Sequence, residues 1–465
     1  MYRKQKYTQL SFEDFNQPIG LHMDSENRWI KKADIIPWTL LEKDYAKLFK
    51  NKKGNVAKPF RMAFGSLLIQ TKYACSDEET VAQIQENPYL QYFIGLPGFQ
   101  LEKPFDASTM VYFRKRLTSE KLAEINEVIL QYNEQESHHD KRDPPTGGSN
   151  ENKGTLMMDA TCAPSNIKHP QDVALLNDAR TKAEELIDEL CENFRFKKPR
   201  TDRKEARRNY LAFSKLKIRT AKKRRKAIKQ QLKYVERNIR HLDKMQVLGA
   251  ELDEKQRANL QVVTDIANQQ RDMYDHQTHR VKDRIVSFSQ PYLRPIVRGK
   301  VKTPTEFGVK LDISQSDGFV RIERMSFDAF NESTDFQTIV ERYSERTGHY
   351  PERVLADQIY RTRENRAYCK EHHIRLSGPK LGRPSKEEEG QEIRWKDERD
   401  RIQVEREFSL AKRCHGLGLI RTRLAQTTFT AVSLAIVSLN LSKIQRNIFV
   451  WILDWASLPF LITNY

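Results

Sequence analysis

The sequence predicts a mixed α/β fold preceded by a helical N-terminal region, and three observations lead to this prediction. Apolar residues in the first third of the chain recur with helical spacing. Five later segments have the composition of short strands, at residues 155–164, 306–314, 318–327, 353–360 and 373–378. Helical patterns follow the third and the fifth of these segments. The order β–β–β–α–β–β–α is typical of an α/β protein with a partly antiparallel sheet.

The N-terminal region carries clear helix signals. Residues 60–73 show helical apolar spacing, and Ser76 followed by Glu79 makes a capping-box pattern at the start of another helix. Residues 134–153 are polar and rich in proline and glycine, which indicates a linker. A helical domain is therefore predicted over residues 1–133, ahead of a second domain at 154–460.

Two of the predicted strands carry or lead into an aspartate. Residues 155–164 form a short apolar run with one acid, Asp159. The strand that begins near residue 353 runs directly into Asp357. Both segments have the character of buried strands, so each aspartate is expected at a fixed place on the sheet.

A hairpin and a helix are predicted between these two strands. Residues 306–314 and 318–327 alternate apolar and polar side chains and are joined by the turn sequence QSDG. Asp312 is interpreted as a polar strand position that has no partner helix. The helix then begins near Asp335 and ends at Gly348, a residue suited to a helix C-terminus.

A long helical insertion, residues 172–286, separates the first two strands. Apolar residues recur at 4-3-4-3 spacing, which predicts an antiparallel helical hairpin that turns near Gly249. The first arm is densely basic. Two interpretations remain open, a solvated coiled-coil surface or an arm that contacts phosphates. On the second interpretation the candidate DNA-binding residues are Lys222, Lys223, Arg224 and Arg225.

The composition favours a polyanionic partner. The chain of 465 residues has 81 Lys and Arg against 63 Asp and Glu, a net charge of +18, which is typical of nucleic-acid binding. Its five cysteines form no C-x-x-C pair, as expected in a reducing cytoplasm. The longest apolar stretch, residues 429–441, is too short to span a bilayer. We therefore expect a cytoplasmic protein with a nucleic acid as its partner and no membrane association.

Residues 399–424 place two glutamates, Glu405 and Glu407, among basic side chains. In a helix with about 100° per residue, Arg401, Glu405 and Lys412 share one stripe. Glu407 falls about 200° from Glu405, on the opposite face. The sequence therefore predicts that only one of the two glutamates faces the basic stripe.

Three apolar residues, Val404, Phe408 and Ala411, lie on or beside this stripe and predict that it faces the core. We therefore expect Glu405 to point inward between cations and Glu407 to be solvated. The inward carboxylate has two interpretations. It belongs to a stripe of i,i+4 ion pairs, or it is a metal ligand that meets acids from other elements.

The second interpretation gives a metal site. Asp159, Asp357 and Glu405 supply three carboxylates, and carboxylate oxygens can hold two divalent cations about 4 Å apart. One ion would activate water or a 3′-hydroxyl, and the other would stabilise the leaving oxygen of a phosphodiester. Three basic residues beside Glu405 are then expected to contact the DNA backbone: Arg401, Lys412 and Arg413.

These residues carry a resemblance to a known family. The segment RIQVEREFSLAK resembles the R-x3-E-x6-K core of the Y-x2-R-x3-E-x6-K signature of bacterial insertion-sequence DDE transposases, with Arg401, Glu405 and Lys412 at its R, E and K. Glu398 stands where the signature has tyrosine, so no role of that tyrosine is carried over. Residues 159–180 and 355–368 resemble the segments around the two aspartates in these enzymes.

The resemblance implies an RNase H-like catalytic core, Mg²⁺ or Mn²⁺ (two ions), and DNA cleavage and strand transfer at terminal inverted repeats. It also implies that the partner is double-stranded DNA of the element ends and the target, that residues 1–133 bind DNA, and that a homodimer brings two element ends together. The insertion at 172–286 is not part of the minimal fold. Two alternatives remain, a non-catalytic DNA-binding protein derived from a transposase and a two-metal nuclease without strand transfer.

Overall fold

The structure is a computed structural model, and it describes residues 2, 11–20, 22–50, 55–139, 152–297, 304–378 and 389–462. The chain forms two compact units. One combines residues 1–164, 310–326 and 330–465, and the other combines residues 165–309 and 327–329. The first unit contains the N-terminal helices together with most of the sheet.

The N-terminal part of the first unit is helical, as predicted. The side chain of Ser76 accepts a hydrogen bond from the amide of Glu79 at 3.1 Å and so caps the helix that follows. Of the predicted linker, residues 134–139 continue a helix, and residues 140–151 lie outside the described residues. The helices are α1 (Arg28–Asp34), α2 (Trp38–Ala46), α3 (Phe60–Tyr73), α4 (Asp77–Glu86), α5 (Pro88–Phe93), α6 (Thr109–Arg116) and α7 (Ser119–His139).

A mixed six-stranded sheet confirms the predicted α/β class. Its strand order is β2-β3-β1-β5-β6, and β4 pairs with the far part of β3. Strand β5 runs parallel to β1 and to β6, whereas β2 and β4 are antiparallel to β3. The strands are β1 (Thr155–Pro164), β2 (Pro295–Val297), β3 (Thr305–Ser316), β4 (Phe319–Ser326), β5 (Arg353–Ala356) and β6 (Arg375–Leu376).

The predicted hairpin is confirmed, and its turn has a simple physical basis. Strands β3 and β4 are joined through Asp317 and Gly318, and Ser316 pairs with Phe319 across the turn. Both turn residues have positive φ, 52° and 81°. This backbone matches the twist of a two-residue hairpin and suits an Asp-Gly sequence.

Helices cover both faces of β1 and β5. Side chains alternate along a strand, so Leu156 and Met158 of β1 face the helices α12 and α13 and share an apolar cluster with Val354 and Ala356 of β5. The remaining helices of the first unit are α12 (Phe336–Thr347), α13 (Arg363–Glu371), α14 (Glu389–Cys414) and α15 (Ala425–Ile462). Helix α14 packs against β1 and β5. The opposite set of β1 and β5 side chains faces it.

Helix α15 joins the N-terminal helices to the sheet. Its Asn440 donates to the side chain of Asn126 on α7 at 2.9 Å and to the carbonyl of Val320 on β4 at 2.8 Å. The amide of Val320 donates back to Asn440 at 3.0 Å. Nearby, Arg321 of β4 pairs with Glu127 of α7 at 2.8 Å. These contacts make α7, α15 and β4 one connected framework.

The apolar part of α15 behaves as a core helix. Among the described residues, its segment Ala425–Ile448 is the one helix long and apolar enough to cross a membrane by length and composition. In its most apolar window, 78% is buried inside the protein. Core helices of soluble proteins pass the same test, so the apolar composition is explained by packing. The longest apolar stretch of the sequence, residues 429–441, lies in this mostly buried segment.

The second unit is mainly helical. It contains α8 (Asp172–Phe194), α9 (Arg203–Ser214), α10 (Ala221–Val247) and α11 (Glu254–Asp275). The chain turns between α10 and α11 at Gly249, whose φ is +97°. Leu232, Val235 and Leu242 of α10 are buried against α8 and α11. The sequence interpretation of a hairpin missed α8 as the third member of this core.

Ion pairs fix α14 on the sheet. Asp397 of α14 is buried and accepts from Arg353 of β5 at 3.1 Å and from two nitrogens of Arg375 of β6 at 2.6 and 2.8 Å. Arg353 also donates to Asp400, one turn further along, at 2.7 Å. Burial alone would raise the pKa of Asp397, but the hydrogen bonds and charges of the two arginines outweigh it and hold that pKa below its usual range.

Replacing Asp397 by Asn should loosen this attachment. The variant leaves Arg353 and Arg375 without their shared negative charge, and breaking one side of a buried ion pair costs roughly 3 kcal/mol. We expect the free energy of unfolding in urea to fall by about that amount at pH 7. Asp400→Asn is the matched control, because within the described residues Asp400 binds only Arg353, and a smaller loss is expected. Equal losses in the two variants would contradict the central position of Asp397.

Candidate active site

The two predicted aspartates lie side by side on the face of the sheet that α14 covers. The β1–β5 ladder ends with the pair of Met158 and Ala356, so Asp159 and Asp357 directly follow paired residues of two adjacent parallel strands. Neighbouring strands are about 4.8 Å apart. Asp159 is half-buried, and Asp357 is 55% exposed at its side chain. The sheet therefore brings two carboxylates that are 198 positions apart in the sequence to one edge.

Helix α14 crosses this edge. Nη1 of Arg401 donates to Asp357 at 3.2 Å, and Nη2 of the same residue lies 3.6 Å from Oε1 of Glu405. Further along the helix, Nζ of Lys412 donates to Thr161 of β1 at 2.9 Å. Thr161 lies two residues after Asp159, so both are on the α14 face. The structure thus brings Asp357 and Glu405 to one guanidinium, on the face that Asp159 also occupies.

The prediction for the two glutamates of α14 was wrong. The side chain of Glu405 is 60% exposed, and that of Glu407 is 9% exposed. Glu407 lies 3.5 Å from Nζ of Lys443 on α15, and its Oε2 is buried without a hydrogen-bond partner among the described residues. Glu405, not Glu407, faces solvent.

The error has a geometric cause. Val404, Phe408 and Ala411 are buried, as predicted. Glu407 comes three residues after Val404, about 60° away around the helix, whereas Glu405 comes one residue after it, about 100° away. The apolar residues, and not the charged stripe, determine the centre of the buried face. Glu407 is the closer of the two glutamates to that centre.

The exposed position of Glu405 leaves its carboxylate accessible. Asp357 and Glu405 both have more than half of their side chains in solvent, so a cation can reach them. Three carboxylates are a suitable oxygen donor set for a divalent cation. Among the described residues, however, no three His, Cys, Asp or Glu side chains are gathered tightly enough to hold a metal ion. Asp159 instead accepts from the amide of Ala160 at 2.8 Å.

A fourth acid, Asp312, lies under this site and has a partner that the sequence did not indicate. Tyr360, three residues after Asp357, donates to Oδ1 of Asp312 at 2.7 Å. Burial raises the pKa of Asp312 to about 8, although the hydrogen bond from Tyr360 acts in the opposite direction. Burial and the charge of Asp312 also raise the pKa of Tyr360, with a contribution from Asp159. Asp312 is therefore a buried acid with a hydrogen-bond partner, and not only a polar strand position.

The predicted DNA-contacting residues of α14 have different surroundings. Arg401 is about one-third exposed and bound to carboxylates. Lys412 is half-buried and held by Thr161. Arg413 is exposed, and its Nε donates to the carbonyl of Ser409 at 3.4 Å. Of these three cations, Arg413 is the most accessible to a phosphate.

The four basic candidates of the second unit lie in the first turns of α10. Lys222, Lys223, Arg224 and Arg225 are all exposed, and none pairs with a carboxylate within the described residues. Arg225 lies over the ring of Tyr274, 4.1 Å from its centroid. Cations are disfavoured at a helix N-terminus because of the helix dipole. This cluster is consistent with either interpretation of the basic arm, and the dipole adds to the cost of leaving it without an anion.

Two parts of the chain match known protein families. Residues 354–442 match the family model described as Transposase DDE domain, a range that includes Asp357 and Glu405. Residues 20–116 match the model described as Transposase domain (DUF772). The chain is similar to the uncharacterized protein ORF8 in the nfe locus of Rhizobium meliloti, at 31% identity over 162 residues, which are 35% of this chain and 73% of that protein. No solved structure matches the chain.

A mixed sheet with acids at one edge, crossed by a helix that carries a further acid, together with these matches, defines a transposase with a DDE-type domain. The chain belongs to the DDE transposases of bacterial insertion sequences. It is a DNA transposase, so DNA is its partner, and the family depends in general on a divalent metal ion.

The buried Asp312 gives a prediction for pH dependence. Its carboxyl ionises near pH 3.8 in the unfolded chain but only near pH 8 in the fold, so the stability that it contributes is present below pH 3.8 and is lost as the pH rises towards 8. Asp312→Asn removes this loss. We expect the free energy of unfolding of the variant, relative to wild type, to rise between pH 5 and pH 8 in urea titrations.

Glu345→Gln is the control for this experiment, because Glu345 is exposed on α12 and the variant also replaces a carboxylate by an amide. Its unfolding free energy should follow the wild-type pH dependence. Parallel curves for wild type and Asp312→Asn would contradict a protonated carboxyl at this position.

Proposed function

We propose that this transposase cleaves DNA at the terminal inverted repeats of its element and joins the freed ends to target DNA, with Asp159, Asp357 and Glu405 as the catalytic, metal-binding residues. The observation that carries the proposal is the shared face. Strand alternation places both aspartates under α14, and Arg401 links Asp357 to Glu405 on that helix. Phosphodiester chemistry needs such a group of carboxylates within reach of a DNA strand.

The strand arrangement supports an RNase H-like core within residues 154–460. Strands β1, β3 and β4 are neighbours in the sheet, and β5 and β6 continue it in parallel on the other side of β1. The short β2 is an addition at the start of β3. On this proposal residues 172–286 are an insertion into the catalytic domain, after its first strand.

Mg²⁺ or Mn²⁺ is the proposed cofactor, as two ions. Bound by these carboxylates, a divalent cation lowers the pKa of a water ligand and stabilises charge on the phosphate oxygens. The guanidinium of Arg401 contacts two of the same carboxylates, so it competes with a cation for them. Transfer of Arg401 to a DNA phosphate would release Asp357 and Glu405. Arginine suits this exchange because it binds carboxylate and phosphate through the same planar donors.

The remaining assignments follow from charge and position. Residues 1–133 are proposed to bind the element ends, joined to the catalytic domain through residues 134–153. The basic start of α10, Lys222–Arg225, is proposed to contact the DNA backbone together with Lys412 and Arg413. A homodimer would hold two ends in one synaptic complex, and the protein would associate with the nucleoid when bound.

One observation favours a second candidate function, a non-catalytic DNA-binding protein derived from a transposase. Arg401 forms ion pairs with Asp357 and Glu405, as expected if these acids have only a structural role. Among the described residues, no group of three acids is close enough together to hold a metal ion. Cleavage assays separate the two candidates. Strand transfer from pre-cleaved ends separates the transposase from a nuclease that cuts without rejoining.

Glu405→Gln should abolish strand cleavage and leave DNA binding within about twofold of wild type. The amide is a poor ligand for a hard cation, whereas the exposed side chain contributes little to stability. The measurement is cleavage of a labelled terminal-repeat duplex with Mg²⁺, with binding followed by fluorescence anisotropy. Removal of a catalytic metal ligand should reduce the rate by roughly a thousandfold or more.

The control is Glu392→Gln, an exposed glutamate on the same helix about 20 Å away along its axis. It makes the same charge change and should cleave at the wild-type rate. Glu407→Gln is unsuitable as a control, because Glu407 is buried beside Lys443. Retained cleavage in Glu405→Gln would eliminate this residue from the catalytic set.

Arg401→Gln should strengthen binding of Mn²⁺ to the DNA-free protein. The variant removes a positive charge 3.2 Å from Asp357 and 3.6 Å from Glu405. Because these side chains are partly solvated, we expect a modest gain of roughly fivefold, measured by electron paramagnetic resonance of free Mn²⁺. Arg399→Gln is the control, since Arg399 lies over Trp395 and not beside the acids. Unchanged Mn²⁺ affinity in Arg401→Gln would contradict the proposed competition between Arg401 and the metal ion for the two carboxylates.

A further inference from the structure

An ammonium group is buried in the N-terminal helices without an acid to balance it. Lys32 of α1 is 6% exposed, and its Nζ lies 5.5 Å from the centroid of the Trp29 ring. No carboxylate pairs with Lys32 within the described residues. Burial, together with the positive charges of Lys72 and Arg28, lowers the pKa of Lys32 to about 7. A buried cation without a counter-charge costs stability.

The groups around Lys32 are also cationic and come from separate helices. Lys72 lies in the last turn of α3, and Arg446 is exposed on α15. His415, at the end of the α14 region, is buried and hydrogen-bonded to Ser438 at 2.9 Å. Burial lowers the pKa of His415 to about 3, and the charges of Lys72, Lys32 and Arg446 contribute. Lys32, Lys72 and Arg446 are therefore close enough to His415 to act on it, and Lys72 and Arg28 act on Lys32.

Hydrogen bonds hold the cluster in place. Arg28 and Trp29 both donate to the hydroxyl of Tyr73, at 3.1 and 3.2 Å. Gln445 of α15 donates to the carbonyl of Arg28 at 2.7 Å, which ties α15 to α1. Arg28 and Arg446 are exposed, Lys72 is half-buried and Lys32 is buried. The cations are thus graded from the surface inward, as in a site that receives an anion from solvent.

We propose that Arg28, Lys32, Lys72 and Arg446 form a binding site for one backbone phosphate of duplex DNA. A phosphodiester supplies the negative charge that the cluster lacks, and its oxygens accept from ammonium and guanidinium donors. The chain carries a net charge of +18 and its family acts on DNA, which favours a DNA phosphate as the anion. The assignment rests on the proposed role of the N-terminal helices in binding element ends.

The proposal predicts effects of opposite sign for one substitution. Lys32→Met keeps the length of the side chain and removes its charge, so the DNA-free protein should melt at a higher temperature. The same variant should bind a 40-base-pair duplex of the terminal repeat about tenfold more weakly. The slope of log K against log salt should become shallower by about 0.9, the value for one phosphate contact. A lysine with a purely structural role would leave that slope unchanged.

Lys43→Met is the matched control, because Lys43 is exposed on α2 and makes the same charge change. Its melting temperature and salt slope should match those of wild type. Arg446→Gln gives a second test at an exposed residue that is not needed for folding. It should also make the slope of log K against log salt shallower by about 0.9. A change in the salt slope of Lys43→Met as large as that of Lys32→Met would indicate a diffuse basic surface in place of a defined site, and would overturn the proposal.

Inorganic phosphate at millimolar concentration distinguishes a DNA phosphate from a small free anion. We expect the duplex to raise the melting temperature of wild type more than that of Lys32→Met, and phosphate alone to have little effect. Stabilisation by phosphate with an unchanged DNA affinity in Lys32→Met would overturn the assignment to DNA. DNA affinities of Lys32→Met and Arg446→Gln equal to that of wild type would also overturn the assignment. The cleavage results for Glu405 would not be affected. Wild type that fails to bind the duplex would reject this site and the proposed role of the N-terminal helices together.

Discussion

The position of α14 on the sheet is the constraint on which the rest of the site depends. Asp397 receives donors from two adjacent strands, and Lys412 binds Thr161 at the other end of the contact. With both ends attached, the turn that carries Arg401 and Glu405 has little freedom to slide over β1 and β5. The aspartates are placed by strand register and the glutamate by this attachment. Short-range ion pairs therefore assemble groups that are far apart along the chain.

Arg401 gives the site a second, electrostatic constraint. One guanidinium between two carboxylates neutralises charges that would otherwise repel each other at the sheet edge. The same arrangement makes these ion pairs sensitive to anything that binds either the arginine or the carboxylates. A DNA phosphate and a divalent cation are such competitors, and they act in the same direction because each removes one partner from the pair. On the proposed function, substrate binding and metal binding would support each other.

Local patterns in the sequence were enough to predict much of this architecture. Strand β1, the β3–β4 hairpin with its Asp-Gly turn, the Ser76 cap and the helix end at Gly348 all depend on residues within a few positions of one another. The resemblance of three acid-bearing segments then identified the family. That information survives in a single sequence because it is carried by spacing and by turn chemistry.

The features that the sequence did not predict depend on contacts between distant segments. The phase of α14 was inferred from its charges, whereas the buried face is centred on Val404 and Ala411, so Glu405 and Glu407 were exchanged. The partner of Asp312 is Tyr360, 48 positions away, and no pattern near either residue indicates the other. Lys32 resembles an ordinary surface lysine in the sequence of α1, and its burial depends on elements that pack against α1 from elsewhere in the chain.

The framework of α7, α15 and β4 has a consequence for how the cleavage point on DNA would be selected. Asn440 joins an N-terminal helix to a strand of the sheet through three hydrogen bonds. These bonds would hold the proposed recognition helices at a fixed distance from the acids of the sheet. The scissile bond would then be selected by its distance from the recognised sequence. Adding half a turn of double helix between the two would rotate the cleavage point to the far side of the duplex, away from the acids.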